Sequence, residues 1–359
     1  MTAAPDIGAG TRGSGAPLPR CATLAIGTLP HRDPVEALDF MFSRHPDCPA
    51  WPQLPQADFR EGMYVQYSEG MPAAVVDVPG RRIYFDSEAA PQAMADFYER
   101  YLEGEVDFCA ISPDFSRSFQ DFLERLPASD AIFAKGQVTG PASFGLTVTD
   151  EDSRPVLYNA DLFEAVVRTL ALKGRWQVER FREAAPGLTP IIFYDEPYLT
   201  QVGSALISLP PEQVVANLDE CFSAIDGYTG IHVCGGTDWG LLTTTSVDIL
   251  HFDASAHSQE FLIYEKELAG FLERGGMIAW GIVPTDEGAR ERDAASLAED
   301  VLRMAETVAG FSGSATGVAE LLDRSFISEA CGAGTLDLSL ATRCFDLAAG
   351  VSRVLRGQM

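Results

Sequence analysis

Pro190-Ile-Ile-Phe-Tyr-Asp-Glu-Pro197, an amphipathic stretch over 211–225, and Thr229-Gly-Ile-His-Val-Cys-Gly-Gly236 read together as strand, helix and strand. Each strand is a short, mainly apolar run that ends in residues able to do chemistry: Asp195 and Glu196 after the first, His232 and Cys234 at the close of the second. Consecutive apolar positions suit a strand covered on both faces, as parallel strands are, and a helix is the usual crossover between parallel neighbours.

The same unit recurs outward from this core. Strands are expected at 22–27, 131–136, 247–253, 277–282 and 324–328, with a weaker candidate at 105–111, and a long amphipathic helix at 160–185. This alternation predicts an α/β fold, a single (β/α)8 TIM barrel spanning 21–359. The pair 73–78 and 82–85 reads as a small hairpin insertion, and the Gly/Ala/Pro-rich residues 1–20 as a disordered tail. Thr28, Thr139, Asp195, Cys234, Asp253, Thr285 and Cys331 all fall after strands, at the face where barrel enzymes carry their active sites.

Composition narrows the function classes. With 46% hydrophobic and 22% charged residues the chain can bury a sizeable core, and a net charge of −26 argues against nucleic acid and anionic membranes as partners. No apolar run is long enough to span a membrane and the first residues lack a secretory pattern, so a cytoplasmic protein is expected. The seven cysteines are widely scattered, which suits free thiols better than a disulfide framework. Burial explains Cys109, Cys221 and Cys344, which sit in apolar or amphipathic surroundings.

His232 and Cys234, two apart on one strand, point to the same side, so one metal ion can touch both. Cys331, in Ile327-Ser-Glu-Ala-Cys-Gly332, supplies a second thiolate from another strand end. Two thiolates and an imidazole suit zinc and leave a position open for substrate. Asp253 and His251, on a neighbouring strand, compete as the fourth protein group. His31, after Leu29-Pro30, is placed to face the mouth, where it can handle protons or bind a carboxylate.

His232-Val-Cys-Gly-Gly-Thr-Asp-Trp239, with Ile26-Gly-Thr-Leu-Pro-His31, Lys135-Gly-Gln-Val-Thr-Gly-Pro141, Phe193-Tyr-Asp-Glu-Pro197 and Ile327-Ser-Glu-Ala-Cys-Gly332, resembles the zinc-dependent methyltransferases of the cobalamin-independent methionine synthase and uroporphyrinogen decarboxylase superfamily. The likeness is to the C-terminal catalytic barrel of the methionine synthases. It implies His232, Cys234 and Cys331 as zinc ligands, with Asp253 where those enzymes carry a glutamate. It also implies that Ile26, Gly27 and Thr28 contact homocysteine, that Asp195 pairs with the amino group of the substrate, and that Glu61 is a second carboxylate nearby. Glu196 points the other way and reads as structural.

The activity so implied is methyl transfer to a substrate thiol, homocysteine-like and giving methionine, with zinc generating the thiolate nucleophile. With no room for the second barrel that helps bind folate in full-length relatives, the expected donor is a methylcorrinoid, carried by a corrinoid protein, rather than methyltetrahydrofolate. Two rivals follow from the same resemblance. A tetrapyrrole decarboxylase would need an arginine-rich N-terminal segment, where residues 21–60 offer only Arg32, Arg44 and Arg60. A non-catalytic zinc- or corrinoid-binding barrel would keep the fold without the reaction.

Overall fold

The computed structural model describes residues 16–202, 207, 209–311 and 314–359. Its strands are β1 (Ala22–Leu24), β2 (Ala74–Asp77), β3 (Arg82–Phe85), β4 (Phe133–Thr139), β5 (Thr149–Asp150), β6 (Thr189–Asp195), β7 (Tyr228–Val233), β8 (Ile249–Phe252), β9 (Met277–Val283) and β10 (Ser325–Glu329). Seven of them form a curled parallel sheet in the order β1-β10-β9-β8-β7-β6-β4. Helices separate the strands, among them Pro34–Arg44, Ala160–Ala184, Pro211–Ser223, Ala294–Ala309 and Leu338–Arg356. Several start on a side-chain cap: Asp33, Asn159, Asp293 and Asp337 each accept from backbone N–H groups of the first turn.

The expected strand at 105–111 is absent. Asp107–Cys109 is a single 3-10 turn, and the carbonyls of Cys109 and Ala110 accept from the Lys173 ammonium instead of a neighbouring strand. The open edges of the sheet, β1 and β4, both meet the segment 47–53. Phe133 and Lys135 donate to the carbonyls of Asp47 and Pro49, while just past β1 the Gly27 carbonyl accepts from Gln53 N and the Gln53 carbonyl from Leu29 N. Only isolated bridges form there, Ala50 with Lys135 and Thr28 with Gln53. Pro49 and Pro52 lack N–H donors, which prevents a continuous ladder.

The hairpin is present as β2 and β3, antiparallel, with β5 added alongside to make a separate three-stranded sheet. Of the expected tail, residues 1–15 lie outside the described residues. Residues 17–20 are bonded: the Pro17 carbonyl accepts from the Tyr228 hydroxyl, the Pro19 carbonyl from Ala22, and Arg20 donates to Asp323. No helix among the described residues is long and apolar enough to cross a membrane.

Inside the curl, the inward positions of the strands, Ala22, Leu24, Phe133, Ile191, Phe193, Ile249, Met277, Ala279 and Phe326, form an apolar floor together with Cys48 of the segment 47–53. One inward position further along, the character changes to Lys135, Asp195, His232, His251 and Ser328. Outside, helices and strands share a larger buried layer that includes Trp51, Phe119, Trp176 and Phe181. The Trp51 indole is fully buried, donates to Gln177 Oε1 at 2.8 Å and meets Phe119 edge-on.

Trp51 therefore tests whether the segment 47–53 belongs to the folded core. Trp51→Ala should cost about 3–5 kcal/mol in denaturant unfolding, the range for deleting a buried large aromatic. A loss under about 1 kcal/mol, within the scatter of surface substitutions, would show that the segment merely lies against the sheet.

Candidate functional site

Strand register brings the polar residues together. Asp195 pairs with His232 across β6 and β7, and His232 with His251 across β7 and β8, so the three stand side by side at one level of the curl. Cys234 follows β7 and Cys331 follows β10. The donor atoms of His232, Cys234 and Cys331 lie within 4.8 Å of one another. His232 is buried and both cysteines are half-buried, so the group opens toward the rim.

A hydrogen bond from the Cys331 thiol, with the His232 ring beside it, holds the Cys234 thiol well below its ordinary value, against the effect of burial. That same hydrogen bond and burial push the Cys331 thiol upward. One proton shared between two sulfurs is what a dithiol poised to take up a soft cation looks like, and the donor set fits zinc. The His232 ring is held from behind: its Nδ1 lies 2.7 Å from His251 Nδ1, whose ring reaches Ser328 Oγ at 2.9 Å and the Glu329 carbonyl at 3.2 Å. Burial drives the His251 pKa well below the ordinary imidazole value.

Asp253 is not brought to this group. Its carboxylate accepts from Ser255 Oγ at 2.6 Å and Ala256 N at 2.9 Å, capping the turn that follows β8. One residue beyond the strand, it is drawn into local hydrogen bonds of the kind that aspartate favours in turns.

Asp195 is buried, and its Oδ1 has no hydrogen-bond partner among the described residues. Burial raises its pKa, while Lys135 and His232 act to lower it. Lys135 is fully buried beneath the site, donates to the Ile26 carbonyl and to Gln137 Oε1, and burial depresses its pKa to about 8. Nothing in the sequence reading singled out this lysine. The signal was available in the alternation Phe133, Lys135, Gln137, which aims all three side chains the same way.

The Ile26-Gly27-Thr28 segment lies against the loop that carries Cys331. A Cβ on Gly334 would come within 2.4 Å of Thr28 Cγ2, and the Ala333 N–H donates to the Thr28 carbonyl at 3.0 Å. The Thr28 hydroxyl donates to Gln53 Oε1 at 3.3 Å, and Gln53 in turn donates to Gln66 at 2.7 Å. Gly27 has φ +127, and a Cβ there would press on Gln137 Oε1 at 2.7 Å, so only glycine fits.

Glu61 and His31 have other contacts. Glu61 is fully buried and accepts from Leu54 N at 3.0 Å and Arg117 N at 3.4 Å, with the Arg117 guanidinium 3.8 Å away. It ties two loops together, and burial lifts its pKa to about 7. The His31 ring packs on Phe40 of the helix Pro34–Arg44 with centroids 4.8 Å apart, and burial lowers its pKa. Glu196 faces away: both carboxylate oxygens receive N–H donors from Ala142 and Ser143, fixing the start of the helix Pro141–Thr147.

The two thiols should differ in reactivity. In metal-free protein at about pH 6, iodoacetamide should modify Cys234 well before Cys331, because the thiolate is the reacting form. Peptide mapping over a time course measures this, and equal rates at the two positions would contradict the proton sharing described above.

No protein-family model matches this chain, and no curated protein sequence does. Among solved structures, a B12-independent methionine synthase from Shewanella sp. W3-18-1, in complex with selenomethionine, is similar at 13% identity over 94% of this chain and 98% of that one, with a TM-score of 0.55. A putative vitamin-B12 independent methionine synthase from Listeria monocytogenes is 15% identical over 91% of this chain and 86% of that one, with a TM-score of 0.48. The fold is thus similar to that of the Shewanella enzyme, in agreement with the resemblance carried by the sequence motifs.

Proposed function

We propose that this protein is a zinc-dependent methyltransferase acting on the thiol of a homocysteine-like substrate, with methionine as product. The observation that carries the reading is the convergence of His232, Cys234 and Cys331 at the rim, one register position from a buried carboxylate with an unpartnered oxygen. His232, Cys234 and Cys331 would hold a zinc ion with one position left open, and the metal would supply acidification of a thiol bound there. The new S–C bond forms as the bond from methyl to donor breaks, and the thiol proton passes to solvent.

The residues around the metal do the rest. Asp195 presents Oδ1 to the substrate ammonium, while Lys135 below limits the negative charge that builds up there. Thr28 and the backbone of Ile26 and Gly27 border the Cys331 loop and line the path of the amino acid chain. Holding ammonium and sulfur at two fixed points aligns the thiolate for in-line displacement. The tetrapyrrole decarboxylase alternative gains no support, since Arg44 is engaged by Asp346 at 2.9 Å and Arg60 by Asp58 at 3.0 Å. We also propose that the segment 47–53 is the eighth stave of a barrel.

For the donor we retain a methylcorrinoid, delivered by a partner protein, because a cobalt–methyl bond needs less activation than the amine of a folate. Chain length no longer supports that choice: the Shewanella protein, described as B12-independent, is covered over 98% of its length by this chain. Homocysteine incubated with the zinc-loaded enzyme and either methylcobalamin or methyltetrahydrofolate decides the matter. We expect one zinc per chain, lost in Cys331→Ser, and methionine formed faster from methylcobalamin. Faster turnover of the folate would reverse the donor, and absence of methionine with both donors would overturn the activity.

Asp195→Asn should retain zinc and weaken homocysteine binding by about 1.5–3 kcal/mol, the range for hydrogen bonds to charged groups. A thiol without the amino group should bind equally to both forms. Equal losses for the two thiols would make Asp195 a structural residue.

A further inference from the structure

We infer that His251 is a positioning residue: it fixes which nitrogen of His232 carries the proton and which faces the two cysteines. This rests on the zinc reading of the site. The Glu329 carbonyl can only accept, and the Ser328 hydroxyl donates to that same carbonyl at 2.8 Å, so the lone pairs of Ser328 Oγ are left to face His251. With both of these groups within reach, His251 Nε2 must be the donor. The ring is fully buried and has no carboxylate among its hydrogen-bond partners, so it holds that single proton and its Nδ1 is a bare acceptor.

His232 Nδ1, 2.7 Å away, therefore donates. The Nε2 of His232 is left with a free lone pair, and since the ring shares one donor group with the Cys234 and Cys331 sulfurs, Nε2 is the ligand atom that follows from this proton order. A ligand imidazole that donates its other N–H gains basicity and a fixed ring orientation. The chain of bonds ends on the backbone of β10, the strand that leads into Cys331. Two ligands from different strands are thus referred to one anchor.

The seat for the relay ring is shaped by glycine. A Cβ on Gly281 would sit 3.1 Å from His251 Cε1 and 2.4 Å from the Phe252 carbonyl, closing the space that the ring occupies. Phe193 meets His251 edge-on with centroids 6.4 Å apart.

Nitrogen-labelled protein loaded with cadmium tests the proton order. Scalar coupling from the metal should appear on His232 Nε2 and not on Nδ1, and a nitrogen–nitrogen coupling should link the two Nδ1 atoms across their hydrogen bond. Zinc affinity, read by competition with a chromophoric chelator, should fall about 10–100-fold in His251→Leu. His251→Asn, whose Oδ1 takes the place of Nδ1 as acceptor, should recover most of that loss. Metal coupling to His232 Nδ1, or wild-type zinc affinity in His251→Leu, would overturn the assignment. Should the leucine variant not fold, the wild-type couplings decide alone. A wild-type chain that takes up neither metal would sink the zinc reading, and one-bond proton–nitrogen couplings in metal-free protein, expected at His232 Nδ1 and His251 Nε2, would still decide the proton order.

Discussion

Hydrogen-bond register across β6, β7 and β8 places Asp195, His232 and His251 abreast, and the chemistry at the rim depends on that lateral alignment. Each of the three sits two residues beyond an inward-facing position filled by Phe193, Gly230 or Ile249. Because side chains alternate faces along a strand, a slip of one residue in any of these pairings would turn a polar group outward into the helical layer. The apolar floor resists such a slip, since it would expose Phe193 or Ile249 to the wrong neighbours. Gly230 completes the fit: a Cβ there would come within 2.4 Å of the Phe193 ring.

The floor and the rim obey one rule with opposite outcomes. At the floor, buried apolar side chains stabilise the curl by leaving water. At the rim, the same burial acts on charge: Lys135 is pushed toward its neutral form and Asp195 toward its protonated one, each partly countered by the other. Lys135 meets the cost by donating to Ile26 and Gln137, which also ties β4 to the end of β1. Asp195 meets it only in part, because Oδ1 has no donor among the described residues.

Much of this organisation was legible in the sequence, for a physical reason. Parallel strands buried on both faces must be written as apolar runs, and seven such runs match β1, β4 and β6 to β10 within a few residues at each end. The run at 105–111 misled because it has apolar content and a buried cysteine, yet its backbone turns after Val106 and its carbonyls go to Lys173. The segment 47–53 was missed for the converse reason: two prolines hide a stretch that bonds to both sheet edges. His232, Cys234 and Cys331 were legible through spacing and chemistry. Glu61 was placed by resemblance and Asp253 by its strand end as well as by resemblance, and sequence alone carries no sign that their oxygens are taken by Leu54 and Arg117, or by Ser255 and Ala256.

An unpartnered carboxylate oxygen in a buried place costs stability, about 1–3 kcal/mol for a polar group and more for a charge. A fold selected for stability alone would supply a donor, and one is close: the Lys135 ammonium already contributes to the field at Asp195. Its protons are directed elsewhere, to Ile26 and Gln137, so the geometry keeps lysine from closing an ion pair. Glu196, one residue along, shows the contrast, with both oxygens satisfied by a helix start and a serine hydroxyl. Adjacent acidic residues on one strand end thus have opposite fates. The one turned outward is consumed by the scaffold, and the one turned inward is left open beside His232, Cys234 and Cys331, where a ligand bearing a cation can complete it.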